Sequence, residues 1–491
     1  METCFESDMG NQSESIAVCG SKKAPLLQLA NKKLFFYCSS LEGMYNRGMK
    51  IQLLEEILLD QKQLEVDAFN PADYCARREE SHLNLASRLA QVVIGVRRCG
   101  KSTLCMNALK KSGLPFAYVN FDDERLARLD VGDLNDLLVA LYKVYGDFDV
   151  LFIDEMQNIP EWFLFANRLL RQRMRLVITG SNAKLLSGEL STHLTGRYME
   201  IRLLPFSFSE YCAAKGIVTR LPASTRETAR RMAAFDEYLR GGGFPELLNE
   251  KDRTGYVTAL VESIIRRDIC ARHKLRNPET LQELANHILN IVPAKATVSD
   301  FSRIFHIGSD HTTRNYLAFL EQAYLLCEVK KYSAKSAERL VNAKLYPVDV
   351  ALMDNRPNAF AGENLGWRLE TLVYLELRRR YLPQGCDIYY YEDKISEADF
   401  LVCRGRNVEK IVQVSYDIST PKVRKRELRG AQNASAATEC RNLTLVTYDE
   451  REDAVTQNGT PIEIVGAHEW LCRPESEWHS AAWPARTKPH G

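Results

Sequence analysis

Residues 95–102 read Gly95-Val-Arg-Arg-Cys-Gly100-Lys101-Ser102. In this spacing glycines let backbone N–H groups curl around phosphates, Lys101 brings a cation to the β- and γ-phosphates, and the Ser102 hydroxyl reaches a Mg²⁺ ion. The pattern therefore implies a site for ATP and Mg²⁺, against the plainer reading of a chance glycine turn. A second set of residues fits the same chemistry. The run Val150-Leu-Phe-Ile-Asp154-Glu155 ends an apolar strand in two acids, where Asp154 would hold Mg²⁺ through water and Glu155 would activate the attacking water. Two acids that merely cap a strand end are the competing explanation. In Leu176-Val-Ile-Thr179-Gly-Ser181-Asn182 the strand again runs into polar residues, so Asn182, or else Ser181, is expected beside the γ-phosphate. Arg197 follows Gly196 just ahead of another strand-like run. There it could reach a neighbouring copy's γ-phosphate in a homo-oligomer, or serve as a surface ion-pair partner. Arg97 and Arg98 inside the loop either touch phosphates or a partner or are solvated, and Asp122 and Asp123 after the second strand either face the metal site or are solvent-exposed.

These residues need elements to hold them. Five short apolar runs, Gln91 to Gly95, Phe116 to Phe121, Val150 to Ile153, Leu176 to Thr179 and Met199 to Leu203, alternate with helical periodicity. That alternation predicts a parallel sheet covered on both faces. Ser102 to Lys111 reads as a helix whose N-terminus faces the phosphates. Helical periodicity from Met49 leads into the first strand, and residues 1–48 show none. Asp236 to about Leu289 is helical, broken at Gly241-Gly-Gly-Phe-Pro245. Thr297 to Phe305, a turn at Ile307 to Ser309, and His311 to Leu320 form a helix-turn-helix pattern. Leu325 to Tyr332 and Leu345 to Val350 then bracket a basic loop, an arrangement that suggests a winged helix. A third region starts with the helix Glu363 to Tyr381. The strands Asp387 to Tyr391, Ala398 to Val402 and Lys410 to Tyr416 follow, then a basic helix from Lys422 to Ala437 and the strands Leu443 to Tyr448 and Ile462 to Val465. The expected organisation is an extension over 1–48, an ATPase domain over 49–215, a helical lid-like segment over 216–290, a winged-helix-like unit over 291–355, an α/β domain over 356–472 and a disordered tail over 473–491.

Composition bounds the remaining possibilities. The chain has 491 residues, a formal net charge of +1, and 45% hydrophobic and 26% charged residues, which points to several soluble domains rather than one core. A charge so near zero excludes a globally polybasic protein, so nucleic acid would be met only through local patches. Two such patches are Lys422, Arg424, Lys425, Arg426 and Arg429 on the basic helix, and Lys330, Lys331, Lys335, Arg339 and Lys344 about the wing. With His311, Thr312, Thr313, Arg314 and Asn315 on the second helix of the helix-turn-helix, they offer residue types able to meet double-stranded DNA. Solvated surface charge and a protein-packing role are the alternatives. The thirteen cysteines show no Cys-x-x-Cys pair and read as reduced core thiols of a cytoplasmic protein. No apolar run reaches membrane-spanning length.

The loop Gly95 to Thr103, Asp154-Glu155-Met-Gln157, Thr179-Gly-Ser-Asn182, Leu194-Thr-Gly-Arg197, Leu204-Pro-Phe-Ser-Phe and Gly241-Gly-Gly-Phe-Pro-Glu246 together resemble the AAA-superfamily ATPases of bacteria and archaea. More narrowly, they resemble the prokaryotic group related to the archaeal ATPases, over about residues 50–470. The resemblance implies an α/β fold with an AAA-type P-loop NTPase domain, with Thr103 joining the cofactor-binding residues. It also implies a helical and winged-helix middle and a C-terminal α/β domain of restriction-endonuclease type. Such a nuclease places acids on its opening helix and a strand and a Glu-x-Lys on the next strand. Glu370 and Asp399 match the acids, but the third element is Gln413-Val-Ser415. A neutral amide is a weak Mg²⁺ ligand and serine carries no cation, so cleavage is not expected. The sequence thus points first to an ATP-hydrolysing switch acting on DNA or protein, with a non-catalytic ATP-bound DNA-binding regulator as alternative and an ATP-dependent nuclease behind both.

Overall fold

The computed structural model describes residues 50–181, 194, 196–220, 222–273, 275, 277–295, 297–333, 343–353 and 364–478. A helix α1 over 50–61 leads into the first sheet. That sheet contains β1 (Ala90–Ile94), β2 (Phe116–Asn120), β3 (Val150–Asp154), β4 (Arg175–Gly180) and β5 (Tyr198–Arg202) in the order β2-β3-β4-β1-β5. Every pairing is parallel. All five residues of β1 and of β3 are buried, because helices α2 (Lys101–Ser112), α3 (Leu134–Tyr145) and α4 (Trp162–Arg171) connect the strands. Their near-continuous apolar runs are what a strand covered on both faces requires. The predicted strand bounds agree with these to within one residue at most ends.

After β5 the chain turns helical. Helices α5 (Phe208–Ala214) and α6 (Thr225–Gly241) each open on a Ser/Glu capping box, Ser207 with Glu210 and Ser224 with Glu227, which satisfies the first N–H groups. Next come α7 (Arg253–Ser263), a π-helical turn Ile264–Cys270 and α8 (Pro278–Ile291). The helix-turn-helix pattern is realised as α9 (Val298–Ile304) and α10 (Asp310–Gln322). The short β6 (Ala294–Lys295) and the antiparallel pair β7 (Leu326–Lys331) and β8 (Lys344–Pro347) flank them. Lys335 and Arg339 of the expected wing lie outside the described residues.

The third region contains α11 (Leu365–Tyr381), β9 (Asp387–Glu392), β10 (Glu397–Arg404), β11 (Asn407–Val414), α12 (Pro421–Thr438), β12 (Leu443–Thr447), β13 (Glu452–Val455) and β14 (Pro461–Gly466). Its strands form one nine-stranded sheet with the hairpin, ordered β13-β14-β12-β11-β10-β9-β7-β8-β6. The join is the parallel pairing of Lys330 and Lys331 in β7 with Tyr389 and Tyr390 in β9. Helix α11 is buried along most of its length, including Arg368, Glu376, Arg379 and Arg380. It docks onto the first two regions: Arg379 donates to the carbonyl of Pro205 (2.8 Å), Arg368 to that of Arg240 (3.0 Å), and Arg78 pairs with Glu376 (3.4 Å).

Three expectations change here. Thr313 is not available to DNA: it is fully buried and hydrogen-bonded to Ser302 (2.8 Å), because it lies on the α10 face that packs on α9. Lys344 is not a wing cation but is buried among carboxylates of the third region. Within residues 473–478, read as part of a disordered tail, Trp478 is anchored: it is buried under the Arg78 guanidinium, and its carbonyl accepts the Tyr381 hydroxyl (2.9 Å).

Candidate functional site: the phosphate loop and its acids

The loop from β1 to α2 closes because two of its positions accept only glycine. A Cβ on Gly95 would lie 2.1 Å from the Leu203 carbonyl oxygen of the strand alongside, and Gly100 sits at φ +95° as the N-cap of α2. No side chain caps α2, which leaves its first N–H groups free to meet an anion. Buried Lys101 donates to the carbonyls of Gly95 (3.3 Å) and Val96 (3.2 Å) and lies 3.7 Å from a Glu155 oxygen. Burial works against its charge, but Glu155, Cys99, Asp154 and Asp268 hold the ammonium above its ordinary pKa.

The acids arrive from the adjacent strand ends. Asp154, the last residue of β3, accepts hydrogen bonds from Thr179 and Ser102 and from the Tyr118 hydroxyl (3.2 Å). Burial, reinforced by the charge of Glu155, pushes its carboxyl up to about 6. Glu155 has a left-handed backbone (φ 50°), and its N–H donates to Thr179 Oγ1 (3.0 Å). That conformation turns its side chain toward Lys101. Gln157 donates to Glu155 and to the Ser181 hydroxyl (3.2 Å). The structure thus gathers Lys101, Ser102, Asp154, Glu155 and Ser181 at one end of the sheet. Thr103 is exposed beside the loop. Arg197 is exposed away from this cluster, 3.4 Å from the Asn167 side chain. Asn182 lies outside the described residues. Asp122 pairs with Arg97 (3.2 Å), whereas Asp123 is held by Arg125 (2.9 Å) and by Gln61 (3.0 Å).

Sequence reasoning missed two residues. Asp268, from the π-helical turn after α7, faces the loop with one carboxylate oxygen 3.6 Å from Arg97 Nε. Burial pushes its carboxyl up to about 6 against the pull of Arg97. Arg77 pins the loop from below, donating to the Cys99 carbonyl (3.0 Å) and to that of Leu204 (2.6 Å) and pairing with Glu210 (3.0 Å). Neither stands in a recognisable motif, so only packing could reveal them. Arg98 pairs with Glu246 (2.8 Å), which gives the Gly-Gly-Gly-Phe-Pro-Glu segment a contact to the loop.

The model of an AAA domain matches residues 87–212, and that of a domain of unknown function matches residues 232–359. An uncharacterised protein of Methanocaldococcus jannaschii is 30% identical over 431 residues, 85% of this chain and 95% of that protein. The chain belongs to the family of this archaeal protein, within the AAA superfamily of ATPases. An uncharacterised protein of Haemophilus influenzae is 31% identical over 347 residues, 67% of this AAA protein and 82% of its relative. Among solved structures, a Walker-type ATPase of Pyrococcus abyssi superposes with a TM-score of 0.37 at 16% identity, over 57% of this chain and 95% of that one. The RuvB Holliday junction branch migration motor of Thermotoga maritima reaches 0.25 at 16% identity, over 58% and 89%. Scores this low carry nothing about activity. No described helix is long and apolar enough to cross a membrane.

Proposed function

We propose that this AAA protein is a Mg²⁺-ATP-hydrolysing switch whose helical and C-terminal regions respond to the nucleotide. The observation that carries the reading is the convergence of Lys101, Ser102, Asp154 and Glu155, with the Lys101 ammonium 3.7 Å from Glu155. The residues fit the nucleotide: an uncapped helix start, a buried cation and a hydroxyl bonded to a buried acid lie together at one end of the sheet. Ser102 and Asp154 would hold Mg²⁺, which would supply charge neutralisation for the phosphates. Lys101 exchanges its two loop carbonyls for phosphate oxygens, which releases Glu155 from the ion pair. Glu155, held by Gln157, which also donates to Ser181, then accepts a proton from the water that attacks the γ-phosphorus, as the bond from that phosphorus to the β–γ bridging oxygen breaks and ADP leaves. Asn182, outside the described residues, is proposed to position that water beside the γ-phosphate. Exposed Arg197, which in this chain donates to Asn167, would serve a neighbouring copy in a homo-oligomer.

The helix-turn-helix and its hairpin are proposed as a winged helix that meets double-stranded DNA through the exposed His311, Arg314 and Asn315. Support from the basic patches is thinner. Lys330 and Lys331 lie within ion-pair distance of Glu328 and Glu392, and Arg424 pairs with Glu452. Lys422, Lys425 and Arg429 remain exposed on α12. The test is phosphate release with and without duplex DNA. Lys101→Ala is expected to abolish ATP binding in calorimetry, and Glu155→Gln to keep binding but lose turnover by about 10²-fold or more. Tight binding by Lys101→Ala removes the site assignment. Binding without turnover in the native protein favours the regulator.

A further inference from the structure

The third region contains a cleft of about 590 Å³ bordered by Glu370, Glu397, Asp399, Gln413, Glu427 and Arg429. A restriction-type site would hold Mg²⁺ there, so the cleft can be tested for fit. Lys344, the first residue of β8, reaches its wall. Its side chain is only 9% exposed, and its Nζ lies 3.4 Å from Glu370 Oε1 and 3.9 Å from Asp399 Oδ1 and pairs with Glu397. The other donors are also committed. Tyr346 OH donates to the same Glu370 oxygen (2.7 Å), the Val414 N–H donates to Asp399 Oδ2 (2.9 Å), and Gln413 donates to Glu427 (2.7 Å). Among the described residues no group of three or more His, Cys, Asp or Glu side chains is placed to hold a metal ion. Mg²⁺ needs about six oxygen ligands in near-ideal octahedral geometry. These carboxylates converge on an ammonium instead, so the cleft does not fit the metal.

We infer that Lys344 replaces the divalent cation of a restriction-type cleft, turning it into a metal-free ion-pair joint that fastens the β7–β8 hairpin to α11 and β10. The cation missing at Ser415 is thereby supplied from a different strand, but at the acids rather than beside a scissile phosphate. The joint holds three elements at once: Glu370 is on α11, Glu397 and Asp399 are on β10, and Lys344 is on the hairpin. A monovalent charge in this place binds the regions together and leaves no coordination position for an activated water. The inference rests on the cleft alone and is independent of ATP hydrolysis at Lys101.

The experiment is Mn²⁺ binding to the full chain without nucleotide, followed by the paramagnetic signal of the free ion. The native protein is expected to bind Mn²⁺ no differently from Asp399→Asn. Lys344→Ala uncovers the carboxylates and is expected to gain one site at least about tenfold tighter than any in the native protein. The Lys344→Ala, Asp399→Asn double variant is expected to lose it. Lys344→Arg, which keeps the charge, is expected to behave as the native protein. A native site that disappears in Asp399→Asn overturns the inference, as does a folded Lys344→Ala that gains no site. If Lys344→Ala does not fold, the native and Asp399→Asn comparison decides alone: equal binding supports the joint, and unequal binding refutes it.

Discussion

Arg77 is expected to be the strongest single support of the phosphate loop, and Arg77→Met tests it. The side chain is 2% exposed, and its guanidinium makes one ion pair with Glu210 (3.0 Å) and two hydrogen bonds to the carbonyls of Cys99 (3.0 Å) and Leu204 (2.6 Å). It also lies over the Phe206 ring at 4.8 Å. Methionine keeps part of the packing volume but removes all three polar contacts and leaves Glu210 charged and buried. Breaking one side of a buried pair costs about 3–5 kcal/mol. For a unit of this size that corresponds to a melting temperature lower by roughly 6–20 °C. The assay is thermal unfolding followed by near-ultraviolet circular dichroism, with and without Mg²⁺-ATP. Ligand at about a hundred times its dissociation constant returns about 2.7 kcal/mol if the loop still forms. The double variant Arg77→Met, Glu210→Gln should cost less than the sum of its parts, because the second change removes the stranded charge. A loss below about 1 kcal/mol, or strict additivity, would refute the claim that this pair supports the loop.

Mg²⁺-ATP binding should tighten as pH rises from about 5 to 7. Asp154 is held up to about 6 in the free protein, above its ordinary 3.8, so its neutral form contributes stability below that ordinary value and loses it as pH rises through about 6. The metal requires the ionised form, and calorimetry in two buffers should therefore show a proton released at pH 5.5, absent in Asp154→Asn. Asp268→Asn should strengthen ATP binding roughly threefold to tenfold, since it removes a carboxylate from beside Arg97 and Glu155 and leaves Arg97 paired with Asp122 alone. Weaker binding in that variant would mean that Asp268 orients Arg97 toward the nucleotide instead.

Much of the ATPase core was legible because its signals are local. A strand buried on both faces must be apolar along its length, so β1 to β5 could be placed to within a residue or two. A loop around phosphates must carry glycine where a Cβ would strike Leu203. The third region was read nearly as well from periodicity, except for β13, whose Glu452 to Val455 run carries too many charges to look like a strand. Individual charges in long helical or basic stretches were not legible. Asp268 is one acid in a helical run, and Lys344 is one lysine in a basic loop. Thr313 has the residue type of a DNA contact but the buried position of a packing residue.

The order of chemical groups along the chain determined that a phosphate loop, two strand-end acids and a helix-turn-helix exist, because backbone conformation and burial periodicity are properties of neighbouring residues. Tertiary structure decided which distant charges meet. It brought Arg77 under Cys99, Asp268 against Arg97 and Lys344 among Glu370, Glu397 and Asp399. A charge taken out of water must find a partner wherever the fold supplies one, and separation along the sequence sets no limit on where that partner lies.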